Sequence, residues 1–336
     1  MWNERLRDSW QRGRDFLGVE NAILGGAMSW LSERHLVAAI SEAGGFGVIA
    51  CGGMPPDLLR EEIRATRKLT SRPFGVNLIV IHPQLAQLVQ VVVEEKVTHC
   101  VMAGGIPDSA TVRSLKENNV KVVLFAPSLT LAKGLVRRGA DALIIEGHEA
   151  GGHVGPVSTI VLAQEILPQL RDVPVFVAGG LADGEMIAVM MAMGAAGGQL
   201  GTRFVCTNEC IAHDNFKNAF LKAQAKDAVV TPQFDAALPV IPVRALANKG
   251  TQAFCDLQLK LLAEVKGGRM ERKDAILELE HFWVGALRRA VLDGDVENGS
   301  VMAGQSVGRV QSIQPVATVM EELVTPILEQ CGKSFT

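Results

Sequence analysis

Short apolar runs rich in β-branched residues recur along the chain, each followed by a glycine-rich or polar turn and then by a segment with apolar residues at helical spacing. The runs at 22–24, 46–50, 74–80, 98–102, 121–126, 142–145, 173–177 and 198–201 read as strands. Between them, 33–43, 57–68, 83–95, 109–118, 129–138, 159–170 and 183–193 read as helices. Eight strands alternating with helices is the cadence of a parallel α/β protein, and a (β/α)8 TIM barrel is the predicted fold. An open doubly wound sheet would share that cadence, because strand count alone does not show closure.

Past Phe204 the rhythm changes. Residues 208–312 read as helices and loops without strand alternation, including NFKNAFLKAQ and KDAILELEHFWVGALRRAV. The predicted organisation is a barrel over 1–207, a mostly helical additional domain over 208–312 set after the last barrel strand, and a C-terminal helix in 313–336 that returns to the barrel.

Composition narrows the function. A net charge of -3 gives no general attraction for nucleic acid or an anionic membrane, and 48% hydrophobic with 21% charged residues suits a well-packed globule. The N-terminal MWNERLRDSWQRGRDF lacks the apolar centre of a signal peptide. Six scattered cysteines without a C-x-x-C pattern suit free thiols in a reducing compartment, so a cytoplasmic location is expected. Cys206, Cys210 and His213 form a C-x3-C-x2-H cluster, but no fourth ligand follows at a familiar zinc spacing, and no metal is expected.

Candidate chemistry gathers where strands end, since ligands of parallel barrels bind at the carboxyl ends. Gly45-Phe46-Gly47-Val48-Ile49-Ala50 fits G-x-G-x-x-A, yet it follows a helix and runs into a strand, the reverse of a dinucleotide fingerprint. It reads as a tight helix-to-strand turn. After the seventh strand comes Ala178-Gly179-Gly180-Leu181-Ala182-Asp183-Gly184, and after the eighth Gly201-Thr202-Arg203. Phosphate sites of such barrels form there from backbone amides and a loop hydroxyl. The sixth strand opens into EGHEAGGHVG, residues 146–155. Its histidines, five apart on a glycine-rich loop, do not form a helical zinc pair. Gly151 and Gly152 bring the chain close to a ligand while His153 projects over it, able to donate a proton or orient a substrate. His148 and Glu149 either shape the loop or support the site from behind.

Taken in order, GGAMSW, SEAGGFGVIACGG, RPFGVNL, EGHEAGGHVG, VAGGLADG and LGTRF resemble the flavin-dependent barrels that include nitronate monooxygenases and the FabK-type enoyl-acyl-carrier-protein reductases. The resemblance covers residues 21–330. It implies FMN with its phosphate at Gly179, Gly180, Gly201 and Thr202, and ring or ribityl contacts from Ala27, Met28 and Asn77. Gly26, Glu146, Gly151, Gly152, Ala178 and Gln199 complete the implied cofactor site, and His153 matches the family's active-site histidine.

Three features favour the reductase branch: DGDVENGSVMAGQSVG (293–308) resembles its C-terminal stretch, Glu146 opening EGHEAGGH resembles that branch too, and Val154 stands where nitronate monooxygenases often carry arginine. Gly25-Gly26-Ala27-Met28 departs from the family's Gln-Gly-Gly-Met. The reductase resemblance implies NADH or NADPH as cosubstrate, a small-molecule or acyl-carrier-protein-linked enoyl thioester, a role in fatty acid synthesis and a homodimer. Within it, Arg244 and Lys249 either meet phosphates of the nucleotide or of a pantetheine arm, or are solvated surface charge. The alternatives are a nitronate monooxygenase using oxygen, an NAD(P)H:quinone reductase, or a phosphate-ligand-binding barrel without redox activity.

Overall fold

The computed structural model describes residues 2–332. In chain order, helix α1 (Trp2–Leu17) precedes strand β1 (Ile23–Gly25), followed by α2 (Arg34–Glu42), β2 (Gly47–Ala50), α3 (Pro56–Leu69), β3 (Phe74–Ile79), α4 (Leu85–Glu94) and β4 (His99–Ala103). Then come α5 (Ser109–Glu117), β5 (Lys121–Phe125), α6 (Leu129–Arg137), β6 (Ala142–Glu146), the two-residue β7 (Gly152–His153), α7 (Thr159–Ile166), β8 (Val175–Ala178), α8 (Gly184–Met193) and β9 (Gly197–Leu200). Eight of these strands form one sheet in the order β1-β9-β8-β6-β5-β4-β3-β2. Every neighbouring pair in it is parallel.

The ring closes between its first and last members. Leu24 bridges Phe46 in parallel, Gly25 N–H donates to the Phe46 carbonyl at 3.0 Å and Phe46 N–H to the Ile23 carbonyl at 2.8 Å. An open sheet is thereby ruled out. The strand interiors are buried throughout, as a barrel filled by side chains and wrapped in helices requires. Gly45 lies between α2 and β2 and Gly47 opens β2, as the sequence predicts for a helix-to-strand turn. A Cβ on Gly47 would stand 2.3 Å from the Val37 carbonyl, so the glycine lets the helix press directly on the strand.

Helix α1 was not expected. Its buried residues Leu6, Trp10 and Leu17 recur at helical spacing and pack into the main core. The Phe16 carbonyl accepts from His99 Nε2 at 2.9 Å and from Lys121 Nζ, which ties the helix to the amino ends of β4 and β5. Burial pushes the His99 pKa down to about 4, so this ring is a neutral structural donor at physiological pH.

Beyond β9 lie the one-turn α9 (Thr202–Val205), α10 (Asp214–Lys222), β10 (Ala228–Val230), β11 (Val243–Leu246), α11 (Lys249–Lys266), α12 (Arg272–Leu292) and finally α13 (Val316–Gly332). The chain leaves and re-enters the barrel side by side, with Thr207 bridging Gln314 and Asn208 N–H donating to the Gln314 carbonyl at 3.0 Å. Helix α13 then packs on α8 and α2, filling the eighth helical place.

The inserted segment has a core of its own, formed by Leu238, Val243, Phe254, Leu261, Ala275, Leu279 and Trp283. The expectation of a segment without strands needs correction. Strands β10 and β11 pair antiparallel, and β11 pairs in turn with β7, making a three-stranded sheet that joins the insert to the loop after β6. Strands of three and four residues are too short to show a periodicity of two. Among the described residues, no helix is long and apolar enough to cross a membrane.

Candidate active site at the carboxyl ends of the strands

The loops after β6, β8 and β9 are locked together by close backbone approach. A Cβ on Gly147 would fall 1.9 Å from Thr159 Oγ1 and 2.2 Å from the Thr159 nitrogen. This lack of a side chain lets the start of α7 lie directly on the loop. Thr159 then braces three segments: its N–H and hydroxyl both reach Glu149 Oε2 at 2.9 Å, and the hydroxyl also lies 2.8 Å from the Gly179 carbonyl. Glu149 is thus a loop-shaping residue. His148 plays a similar part, its Nδ1 lying 2.7 Å from the Gly155 carbonyl across the turn.

Behind the loop lies Arg244 of β11, buried at 3% exposure. Its guanidinium donates twice to the His148 carbonyl, at 3.2 and 3.0 Å, and once to that of Ala228. Neither sequence reading of Arg244 survives: it is no surface charge, and its donors are turned to the protein's own carbonyls. Lys249 is the surface residue of the two, paired with Glu297 at 2.5 Å.

A segment of the insert completes the wall. Gly304 N–H donates to Thr202 Oγ1 at 3.0 Å and Gln305 N–H to the Glu149 carbonyl at 2.9 Å. A Cβ on Gly304 would stand 2.9 Å from the Glu149 carbonyl and 3.0 Å from Thr202 Oγ1, and one on Gly151 only 2.6 Å from the Gly304 nitrogen. The 302–305 stretch is thereby threaded between the β6 and β9 loops.

The other predicted residues surround the same mouth. Gly26 N–H donates to the Leu200 carbonyl at 2.8 Å, and a Cβ on Gly26 would touch the Gln199 side chain at 3.5 Å. Met28 Sδ approaches the space above Gly201. Ser32 Oγ links the Gly26 carbonyl at 2.8 Å to the Met28 N–H at 2.9 Å and so fixes the β1 loop. Asn77 is buried within β3, donating from Nδ2 to the Val101 carbonyl at 3.1 Å. Gly26, Ala178 and Gln199 are buried, whereas Ala27, Met28, Gly152, Gly179, Gly201 and Thr202 are half-buried, and Gly151, His153 and Gly180 are exposed. The predicted set therefore runs from barrel interior to open rim.

Two acids flank His153. Its Nε2 lies 3.4 Å from Oε2 of Glu280 on α12. Glu146, at the end of β6, keeps some accessible surface while its carboxyl group sits deep among the loops. Burial pushes its pKa up to about 7, opposed by nearby His153. A carboxyl raised this way binds its proton more tightly folded than unfolded. The folded state therefore loses relative stability as pH climbs from the ordinary glutamate range to about 7. Urea unfolding should show Glu146→Gln gaining on the wild type across that window and nothing further above it.

The motif cysteines serve the fold. Cys206 Sγ lies 3.6 Å from the Lys217 carbonyl, burial pushes its pKa up to about 12, and the His213 ring accepts from Asn215 N–H at 3.1 Å as the cap of α10. Sequence reading missed Thr159 and Glu280. Thr159 gives itself away only as a helix start, and Glu280 sits in a helix with no motif around it.

A barrel mouth with glycine-lined strand ends and one exposed histidine is common to many chemistries, and comparison with known proteins narrows them to a family. The family model described as nitronate monooxygenase matches residues 11–88 and 83–326. The chain belongs to the nitronate monooxygenase family. It is accordingly an enzyme and an oxidoreductase, in a family of flavin-dependent members.

Two kinds of solved structure in this family share the fold. FabK from Thermotoga maritima is 40% identical with a TM-score of 0.83, covering 95% of this chain and 96% of that one. Nitroalkane oxidase from Streptomyces ansochromogenes is 25% identical with a TM-score of 0.76, covering 94% and 98%. A curated relative from Rhodococcus jostii, (3aS,4S,5R,7aS)-5-hydroxy-7a-methyl-1-oxo-octahydro-1H-indene-4-carboxyl-CoA dehydrogenase, is 28% identical over 94% of this chain and 95% of its own length. A probable nitronate monooxygenase from Staphylococcus aureus is 27% identical over 97% and 98%.

Proposed function

We propose that this chain is an FMN-dependent NAD(P)H oxidoreductase of the FabK type, reducing the double bond of an enoyl thioester carried by acyl carrier protein or by a smaller pantetheine carrier. The observation that carries the reading is the seat of residues 302–305. The stretch that resembles the reductase branch forms a wall of the mouth, with Gly304 on Thr202 and Gln305 on Glu149. Higher identity to FabK than to nitroalkane oxidase supports it, as does a relative named for a CoA thioester.

The residues present fit a flavin phosphate. Gly179 and Gly180 have φ of 88° and 75°, a left-handed pair that exposes successive N–H groups with no side chain in the way. Those two N–H groups, and that of Thr202, donate to no group among the described residues. Thr202 Oγ1 accepts from Gly304, which leaves its hydroxyl hydrogen for a phosphate oxygen. Bound there, FMN would supply the hydride chemistry, taking two electrons from NAD(P)H and delivering them to the β-carbon of the substrate.

The chain's own task is then to manage the charge. Adding hydride at the β-carbon leaves negative charge on the thioester oxygen and the α-carbon. His153, exposed at the rim, in its charged form supplies a hydrogen bond to that oxygen and the proton that completes reduction. The brace of Thr159, Glu149 and Arg244 holds the loop that carries it.

Steady-state assays separate this reading from the monooxygenase one, which the family description and the Staphylococcus aureus relative favour. Oxidation of NADH or NADPH that depends on a trans-2-enoyl thioester is the expected result. Oxygen consumption with an alkyl nitronate, with no thioester-dependent nicotinamide oxidation, would replace it with the monooxygenase.

A further inference from the structure

The contact between His153 and Glu280 joins two parts of the molecule far apart in sequence. His153 lies on β7, whose partner across the sheet is Val243 of β11. Val243 is a member of the insert's core together with Leu279 and Trp283 of α12. Glu280 follows Leu279 by one residue and precedes Trp283 by three, so it flanks the buried stripe of its helix and emerges beside β7. One apolar cluster thus sets both the backbone of the histidine and the helix that carries the acid. The 3.4 Å approach of Nε2 to Oε2 follows from that packing.

With side chains 42% and 34% exposed, the pair adds little stability. Orientation is what it supplies. We propose that Glu280 is a positioning residue that fixes the tautomer of His153, holding the proton on Nε2 and leaving Nδ1 as the nitrogen that meets the substrate. This rests on the reading of His153 given above. A carboxylate can only accept, so its approach to Nε2 favours the ring form with hydrogen on that nitrogen. The neutral ring then presents a lone pair at Nδ1, and the charged ring presents Nδ1–H as the donor. Arg244 on β11 is committed to the His148 and Ala228 carbonyls, and Glu146, at the end of β6, is the second acid whose charge acts on the ring.

The test uses flavin-loaded protein labelled with 15N-histidine, the ring signals of His153 being assigned from a His153→Asn sample. At about pH 8.5, where an ordinary imidazole is neutral, the wild type should show the proton on Nε2. Glutamine can donate as well as accept, so Glu280→Gln should show a mixture of tautomers. Its kcat for the enoyl thioester should fall by about tenfold with KM changed by less than about twofold, part of the contribution a well-placed acid makes. Glu278→Gln, on the exposed face of the same helix, should change neither. A wild-type ring protonated on Nδ1, or an unchanged tautomer pattern in Glu280→Gln, would overturn the proposal. Should the wild type reduce no thioester, the proposed function fails, while the nitrogen spectra still decide the role of Glu280.

Discussion

Replacing His153 by alanine is expected to lower turnover of the enoyl thioester by about a hundredfold, with the flavin content of the purified protein unchanged. The expectation follows from position. His153 is exposed on a two-residue strand at the rim, and the groups that hold its loop are other residues: Thr159 with Glu149, and Arg244 with the His148 carbonyl. Deleting the imidazole therefore removes a donor at the reacting carbonyl without loosening the glycine cradle of β8 and β9. Visible absorbance reports the flavin and initial rates report turnover. Unchanged turnover would remove His153 from the chemistry, and loss of flavin would make it a structural residue.

Gly147→Ala is expected to do the opposite, stripping flavin and stability together. The added methyl would meet the Thr159 hydroxyl, nitrogen and Cα at 1.9, 2.2 and 2.4 Å. Two of those atoms are backbone at the start of α7, so the conflict is relieved only by moving the helix or the loop. Overpacking of this kind costs about 3 kcal/mol at the upper end of its usual range. It would also break the Thr159 contacts to Glu149 and to the Gly179 carbonyl, and with them the seat proposed for the phosphate. Gly155→Ala is the matched control on the same loop, where a Cβ meets nothing within 4 Å. Equal stability and equal flavin content in the two variants would refute the brace.

Much of the fold around this mouth was legible from residue order alone. The barrel strands declare themselves as short apolar runs, and the glycines after β6 and β8 mark where loops approach closely, Gly147 on Thr159 and Gly179 on Gly147. What stayed hidden was whatever depends on distant segments meeting. Arg244 reads as a phosphate contact or a surface charge because nothing near it in sequence tells of the carbonyls of His148 and Ala228. Glu280 reads as one acid among several on an amphipathic helix, and only the packing of Val243 against Leu279 and Trp283 brings it to His153. Helix α1 was hidden for another reason. Leu6, Trp10 and Leu17 form a narrow apolar stripe in a strongly charged segment, and the charges dominate the local signal.

The central claim is that this mouth takes electrons from a reduced nicotinamide and gives them to an enoyl thioester. Anaerobic absorbance of the purified protein tests it most directly, with NADH or NADPH added first and a crotonyl thioester second, and an alkyl nitronate added to a separate sample. The account predicts rapid bleaching of the oxidised-flavin band by the nicotinamide and its return on addition of the thioester. Bleaching by the nitronate alone would contradict it and make the chain a nitronate monooxygenase.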